Sequence, residues 1–498
     1  MAQHTHTTAN PFGSEGIGIT LTEDNGRITG ASPCKGTANP LNLFHPSIDA
    51  ACEIFNRPNR IATPMLRRNG QLHPISMGQA VDVIAEAVHR VRPEQNAMLV
   101  SPHHTNELMY AYQKIARCGM ATSAVGSLRY ADAHPILNID KNDIVPLHEL
   151  LEAKHIYLLD ADLEHHHPII YQLIERIKRE HNTPVTLISN RPQPADLSLA
   201  DSLMAVRDPR ALFRALNRHL LQSGQASGIF IGGVAKGFEP YRQQLLALEP
   251  LQLLHEAGLS EDQLHTFARV FMGISKTVVV LSEHSCPAAT LAEVRNLMLL
   301  TERQAKPSSG LIYLKSACNS QGVFDMGLLP THGPGGIDLT LAENRQRLQS
   351  AWGHEIHIPS PTPLLETLNG GQLQNIFVMG ENPMLDMPEI GKHLMHSSFI
   401  CVQSLFENET TAMAHLVLPM NFGIEVGGSY TSSFRTVQSF GVARPAPIDW
   451  NDYRFAHLLG KALGVDCPQR PIDVFLEMAE LLPTGCKGPD RHWFTWID

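Results

Sequence analysis

Residues 375–383 read NIFVMGENP. The first five form a short apolar run bounded by glycine, which suits a strand buried on both faces of a parallel sheet. Ligands of open α/β sheets sit where such strands end. Gly-Glu-Asn-Pro therefore occupies a binding position: a glycine lets a ligand approach the backbone, and the acid and amide read hydrogen-bonding edges. Two more segments place amides and carboxylates after a strand: QSLFENETT (403–411) after FICV, and ACNSQGVFDMG (317–327) after LIYLK. Taken singly, each reads as an ordinary turn with side-chain-to-backbone bonds. Three on one scaffold point to a ligand site.

The rhythm around these loops is βαβα. KHIYLLDA (154–161), PVTLIS (184–189), SGIFIGG (227–233) and KTVVVLS (276–282) read as strands. PIIYQLIERIKREH (168–181), DPRALFRALNRHLLQS (208–223) and AATLAEVRNLMLLTERQ (288–304) read as helices, with Asp208 a capping residue and Pro209 at a first helical position. Outside that block, NAMLVS (96–101), SFICVQS (398–404) and AHLVLP (414–419) are strands, while 78–91, 106–119 and 449–464 have helical spacing. Gly/Pro-rich loops at 327–337 and 358–363 separate the blocks, and no internal repeat is visible. The pattern implies doubly wound parallel sheets.

A chain of 498 residues suggests two to four domains. Its net charge of −10 excludes a phosphate-tracking nucleic-acid binder. No apolar run reaches the length of a membrane span, roughly 20 residues, and the N-terminus lacks the features of a secretory signal, so the chain reads as cytoplasmic. The eight cysteines contain no CxxC pair and read as reduced thiols. The densest of the 26 histidines, EHHHP (164–168), reads as a solvated loop at the start of a helix opened by Pro168 rather than as a zinc site.

In order along the chain, RPNRIATPMLRRNGQLHPISMG (57–78), HTNELMYAYQKIAR (104–117), Asn319-Ser320-Gln321-Gly322 with Asp325-Met326-Gly327, the 380–383 loop, VQSLFENETTAMAHLVLP (402–419) and EVGGSYTSSFRTVQ (425–438) resemble the molybdopterin oxidoreductase superfamily. The similarity is greatest to formate dehydrogenase catalytic subunits and the large iron–sulfur subunit of NADH dehydrogenase. It implies two doubly wound parallel-sheet domains after a small N-terminal domain. The expected division is 1–60, a relic of the iron–sulfur domain; 61–139 with 320–498, a discontinuous domain carrying the GENP loop; and 140–319, an inserted Rossmann-like domain. In the family these loops hold a molybdenum or tungsten bis-molybdopterin guanine dinucleotide. The carried-over cofactor positions are Asn319, Gln321, Gly322, Asp325, Gly380, Glu381, Asn382, Pro383, Gln403, Glu409 and Thr410.

The departures from the family matter as much. Its cluster motif CPYCGVGC falls on Asn10-Pro11-Phe12-Gly13-Ser14-Glu15-Gly16-Ile17, and its next cysteine falls near Ser47. Iron–sulfur clusters need thiolate ligands, so no cluster is expected. In SLRYADAHPILN (127–138), His134 matches the family's catalytic histidine, and the metal-ligand position before it holds Ala133, with Asp132 one residue away. No protein metal ligand is assigned. A strand-end "G.N" becomes Asp160-Ala161-Asp162, and a guanine-reading Asp becomes Ser189-Asn190-Arg191. The sequence ends at Asp498, so the family's C-terminal barrel is expected to be absent from this chain.

These losses imply a non-catalytic or strongly divergent subunit with no bound cofactor. It would have a structural or assembly role beside other redox subunits, iron–sulfur or flavin proteins among them. The alternative is an active formate dehydrogenase- or formylmethanofuran dehydrogenase-like subunit. That protein would bind a molybdenum or tungsten pterin with its barrel on a separate chain, and His134 and His415 would handle protons.

Overall fold

A computed structural model describes residues 4–132, 135–139, 143–228, 231–232, 237–358, 362–481 and 494–496. The N-terminal segment is an antiparallel sheet, β1 (His4–Ala9), β2 (Gly18–Asp24) and β3 (Arg27–Pro33). Next come β4 (Met65–Arg68), β5 (Gln71–Pro74), β6 (Asn96–Val100) and β7 (Val125–Gly126). The inserted block supplies β8 (His155–Leu159), β9 (Val185–Ser189), β10 (Ser202–Ala205), β11 (Thr277–Ser282) and β12 (Gly310–Leu314). After a small hairpin, β13 (His332–Gly333) and β14 (Ile337–Asp338), the chain returns with β15 (Asn375–Met379), β16 (Phe399–Ser404) and β17 (Leu416–Pro419). It ends in β18 (Gly428–Thr431), β19 (Val437–Phe440) and β20 (Phe494–Trp496).

Two parallel sheets dominate. The inserted sheet has the order β10-β9-β8-β11-β12; the larger runs β5-β4-β17-β16-β15-β6-β7, with β4 and β5 an antiparallel edge. The larger sheet alternates strictly. Met98, Phe377, Cys401 and Leu418 enter the core on one face, and Leu99, Val378, Val402 and Val417 the core on the other. That alternation is the period of two of a strand covered on both sides. The helix Pro168–His181 buries Ile169, Ile170, Leu173, Ile174 and Ile177 in one stripe, starts on Pro168 and stops at Asn182 with φ +55°. Each such side chain stabilises by about 1.5–3 kcal/mol. Ile17, Ile19, Leu21 and Ile28 join the same core as the inserted sheet, so the N-terminal segment is fully integrated.

The two sheets share one plan. β10-β9-β8-β11-β12 repeats β17-β16-β15-β6-β7 strand for strand. Segment 155–168 overlays 375–388 at a constant offset of 220 (375 against 155, 388 against 168). Each has a five-residue strand, a positive-φ residue (Asp160 or Gly380), a four-residue helical turn, a residue near φ −140° (His167 or Met387) and a helix-opening proline. The sequence shows no such repeat because the two copies share shape and little chemistry.

Two sequence expectations need correction. In 227–233, read as a strand, Gly228, Ile231 and Gly232 are helical, and the Ile231 N–H donates to the Ser227 carbonyl (3.0 Å). A β-rich composition loses here to local helical bonding outside the sheet. The 317–327 segment, read as a loop, contains the buried helix Ser320–Asp325.

Candidate functional site

Gly380 ends β15 at φ +82°, and a Cβ there would press on His104, Ser101 and Met420. This is the conformation glycine adopts without steric cost. The next residue, Glu381, is buried and takes hydrogen bonds from the Ser127 hydroxyl (2.6 Å) and the Leu128 N–H (3.0 Å). Burial pushes its carboxyl up to about 7, against the pull of those donors. Asn382 bridges to the post-β16 loop. Its amide donates to Glu409 (2.8 Å), its oxygen accepts from the Thr410 hydroxyl (2.6 Å), and the Met384 N–H donates to that same hydroxyl (3.2 Å). Pro383 opens the following helical turn.

This loop borders a cleft of about 740 Å³ between the two sheets. The larger sheet contributes the ends of β6, β15 and β16, and the inserted sheet the ends of β11 and β12. The plan repeats again here. Ser101-Pro102-His103 after β6 and Ser282-Glu283-His284 after β11 make the same turn, with the His N–H donating to the Ser hydroxyl (3.2 and 3.3 Å). Both histidines line the cleft. Burial and the nearby Arg129 hold His103 below its ordinary value; burial, His166 and Arg129 hold His284 at about 4. Both imidazoles are therefore neutral at pH 7. The half-exposed Arg129 supplies a permanent positive charge, 3.6 Å from Glu283. Glu283 also accepts from Tyr130 (2.9 Å) and the Ser316 N–H (3.0 Å). Burial pushes this carboxyl up, but Lys315, Arg129 and these donors hold it below the usual range. Beneath it Lys315 is buried and pushed down to about 8, with Nζ 4.3 Å from the centre of the Phe324 ring. Asp132 lines the cleft as well.

A second cavity of about 480 Å³, walled by Phe12, Phe55, Phe406, Phe422 and Tyr430, shares His103, Gly380, Ser404 and Asn408 with the first. Among the described residues no group of three or more His, Cys, Asp or Glu side chains could hold a metal ion. The seven described cysteines are free; Cys486 lies outside the described residues.

The residues singled out from sequence divide sharply. Gly380, Glu381 and Asn382 line the cleft, and Pro383, Glu409 and Thr410 shape its edge. The remaining five are interior. Asn319 donates to the His104 carbonyl (2.8 Å) and accepts from the Thr431 N–H (2.7 Å). Gln321 bonds Asn138 and Asp325, and Asp325 pairs with Arg435. Gly322 packs where a Cβ would strike the Asn319 and Asn106 oxygens. Gln403 accepts from Tyr112 (2.9 Å) and donates to Asp452 (2.8 Å). The TNE motif is interior too: Thr105 caps its helix, and Glu107 accepts from Ser429. His415 accepts from the Ile400 N–H (3.0 Å) and does not line the cleft, so it is not placed to move a substrate proton. His134 and Ala133 lie outside the described residues. The EHHHP run does start a helix, but His167 is buried, 3.0 Å from the Ser282 hydroxyl and 3.7 Å from Glu15. Sequence reasoning missed His103, His284 and Arg129; the available signal was Ser-x-His following a buried strand twice.

The chain is 25% identical over 483 residues to the F420-dependent formate dehydrogenase 1 subunit alpha of Methanococcus maripaludis, covering 92% of this chain and 70% of that protein. It is 24% identical over 474 residues to formate dehydrogenase H of Escherichia coli, covering 87% of this chain and 64% of that one. Acetylene hydratase from Pelobacter acetylenicus shares the fold: TM-score 0.63, 13% identity, 94% of this chain and 68% of that chain. Residues 60–452, more than three quarters of the chain, match the molybdopterin oxidoreductase profile. The chain therefore belongs to the molybdopterin oxidoreductase family.

Proposed function

We propose that this protein is a formate dehydrogenase-type subunit of a multi-subunit redox complex, with a structural role beside the subunits that carry electrons. The observation that carries this reading is the loop at 10–17. It holds no thiol; in place of cluster ligands it has a buried glutamate, Glu15, facing His167, and its Ser14 carbonyl accepts from the Ser433 N–H (2.7 Å). The loop is closed by protein–protein contacts where electron transfer would need a cluster.

The cleft fits the family's pterin dinucleotide on one side. Gly380 allows close approach, and Glu381, Asn382, Ser404 and Asn408 offer hydrogen-bonding edges. The inserted sheet does not fit: Asp160, Asp162 and Asp196 crowd the end of β8, where an anionic ligand would be repelled. No redox step is assigned to this chain. A second reading, an active subunit whose barrel sits on another chain, is favoured by the neutral His103 and His284 around Arg129.

Elemental analysis of the complex purified from its source separates the two readings. The structural reading expects co-purifying cluster- or flavin-bearing subunits and molybdenum or tungsten far below one equivalent of this chain. Near-stoichiometric metal on this chain would overturn it.

A further inference from the structure

The repeated plan of the two sheets lets one strand-end crevice be read against the other. In the larger sheet the three positions that matter are Gly380, Asn382 and Thr410, none of them charged. In the inserted sheet the same positions hold Asp160, Asp162 and Asp196. Asp160 and Asp162 adopt φ +40° and +42°, conformations that L-residues rarely take. The Asp160 Oδ1 is buried without a hydrogen-bond partner, and its Oδ2 accepts from the Asn190 N–H (3.3 Å). The Asp162 carboxylate turns away toward His165 (2.7 Å) and His166 (3.6 Å).

Asp196 is the decisive residue. It is 1% exposed, and its two oxygens accept the Asp162 N–H (2.8 Å) and the Leu163 N–H (3.1 Å). A pair of convergent backbone N–H groups aimed at an oxyanion is the arrangement in which a ligand phosphate is held at a strand end. Here the anion is the protein's own. In the other copy the corresponding cross-loop group is the neutral Thr410 hydroxyl, which takes the Met384 N–H and donates to the Asn382 amide oxygen, so no carboxylate fills that position and Gly380 and Asn382 line the cleft. The cleft wall agrees. Residues 380–382, 404 and 408 line it, whereas 160–162 and 190–196 do not.

We infer that Asp196 fills the nucleotide crevice of the inserted sheet. The cleft is thus restricted to a ligand with one nucleotide-diphosphate arm, seated on the Gly380–Asn382 side, and a two-armed ligand is excluded. This goes beyond the structural reading, because it fixes what class of ligand the cleft can take whether or not a metal is present.

The test counts guanosine diphosphate bound to the full-length protein by equilibrium dialysis and calorimetry. It compares the wild type with Asp160→Gly/Asp162→Asn/Asp196→Thr, which copies the larger sheet's loop chemistry. The variant is expected to bind one more equivalent than the wild type, displaceable by inorganic pyrophosphate. Equal counts in the wild type and a folded variant would overturn the inference, as would two equivalents in the wild type. Should the triple variant fail to fold, Asp196→Thr alone is expected to raise pyrophosphate affinity by about tenfold, the scale of removing one adjacent charge; unchanged affinity overturns the inference. Metal content decides the structural reading and nucleotide count decides this one, so the two can fail separately.

Discussion

Glu381 shows how much one side chain at the cleft depends on its surroundings. It is held by neutral donors, Ser127 and Leu128, with Asp386 adding repulsion and burial the larger cost. Its folded pKa of about 7 lies above its ordinary value of 4.5, so its contribution to stability is fully present below about 4.5 and is lost as pH rises through about 7. Glu381→Gln keeps the acceptor and removes the titration. It should unfold at the same urea concentration as the wild type near pH 4.5 and be more stable at pH 8, by about 1–3 kcal/mol. Gly322 is a different kind of constraint. Alanine there would drive a methyl into the amide oxygens of Asn319 and Asn106, which together fix the Ser429–Thr431 edge. Gly322→Ala should cost about 2–3 kcal/mol in chemical denaturation. An amide-before-glycine pattern, Gln321-Gly322, is readable from sequence, but its cause here is packing against a buried amide rather than approach to a ligand.

At the scale of elements, the cleft is built by loops that brace one another. Asn382 and Thr410 lock the post-β15 and post-β16 loops together through hydrogen bonds of 2.6 to 3.2 Å. Thr410→Val removes the hydroxyl and retains the shape. It should cost about 1–2 kcal/mol and speed amide hydrogen exchange in residues 405–411 and at Met384, while β16 itself stays protected. The sequence made these elements legible because their signals are local. Helix Pro168–His181 has its proline start, its apolar stripe and its left-handed stop all within its own length. The helix Pro209–Gln222 likewise has Asp208 accepting from the Arg210 N–H. The helical conformation of Gly228, Ile231 and Gly232 was not legible, because the apolar residues of this segment fit a strand equally well.

Across the whole molecule, Glu425 ties the N-terminal segment to the larger domain. Its fully buried carboxylate lies between Arg60 (3.1 Å) and Arg444 (3.2 Å), and Arg444 also donates to the Phe55 and Gly26 carbonyls. Glu425→Gln removes the carboxylate that lies between two buried guanidinium groups. It should cost about 3–5 kcal/mol, and limited proteolysis should then release the segment before residue 60 ahead of global unfolding. Sequence alone determined the alternation of buried strands and amphipathic helices, and marked the glycine loop after β15 as the place where a backbone opens to a cleft. Those signals reside in residues close together in the chain. Tertiary structure decided the rest: that Asn319, Gln321, Asp325 and Gln403 turn inward to hold the fold, that His103 and His284 both line the one cleft, and that Asp196 reaches the end of β8. Each of these depends on the direction in which a side chain points once two sheets have packed, and that direction is set by contacts between residues far apart in sequence.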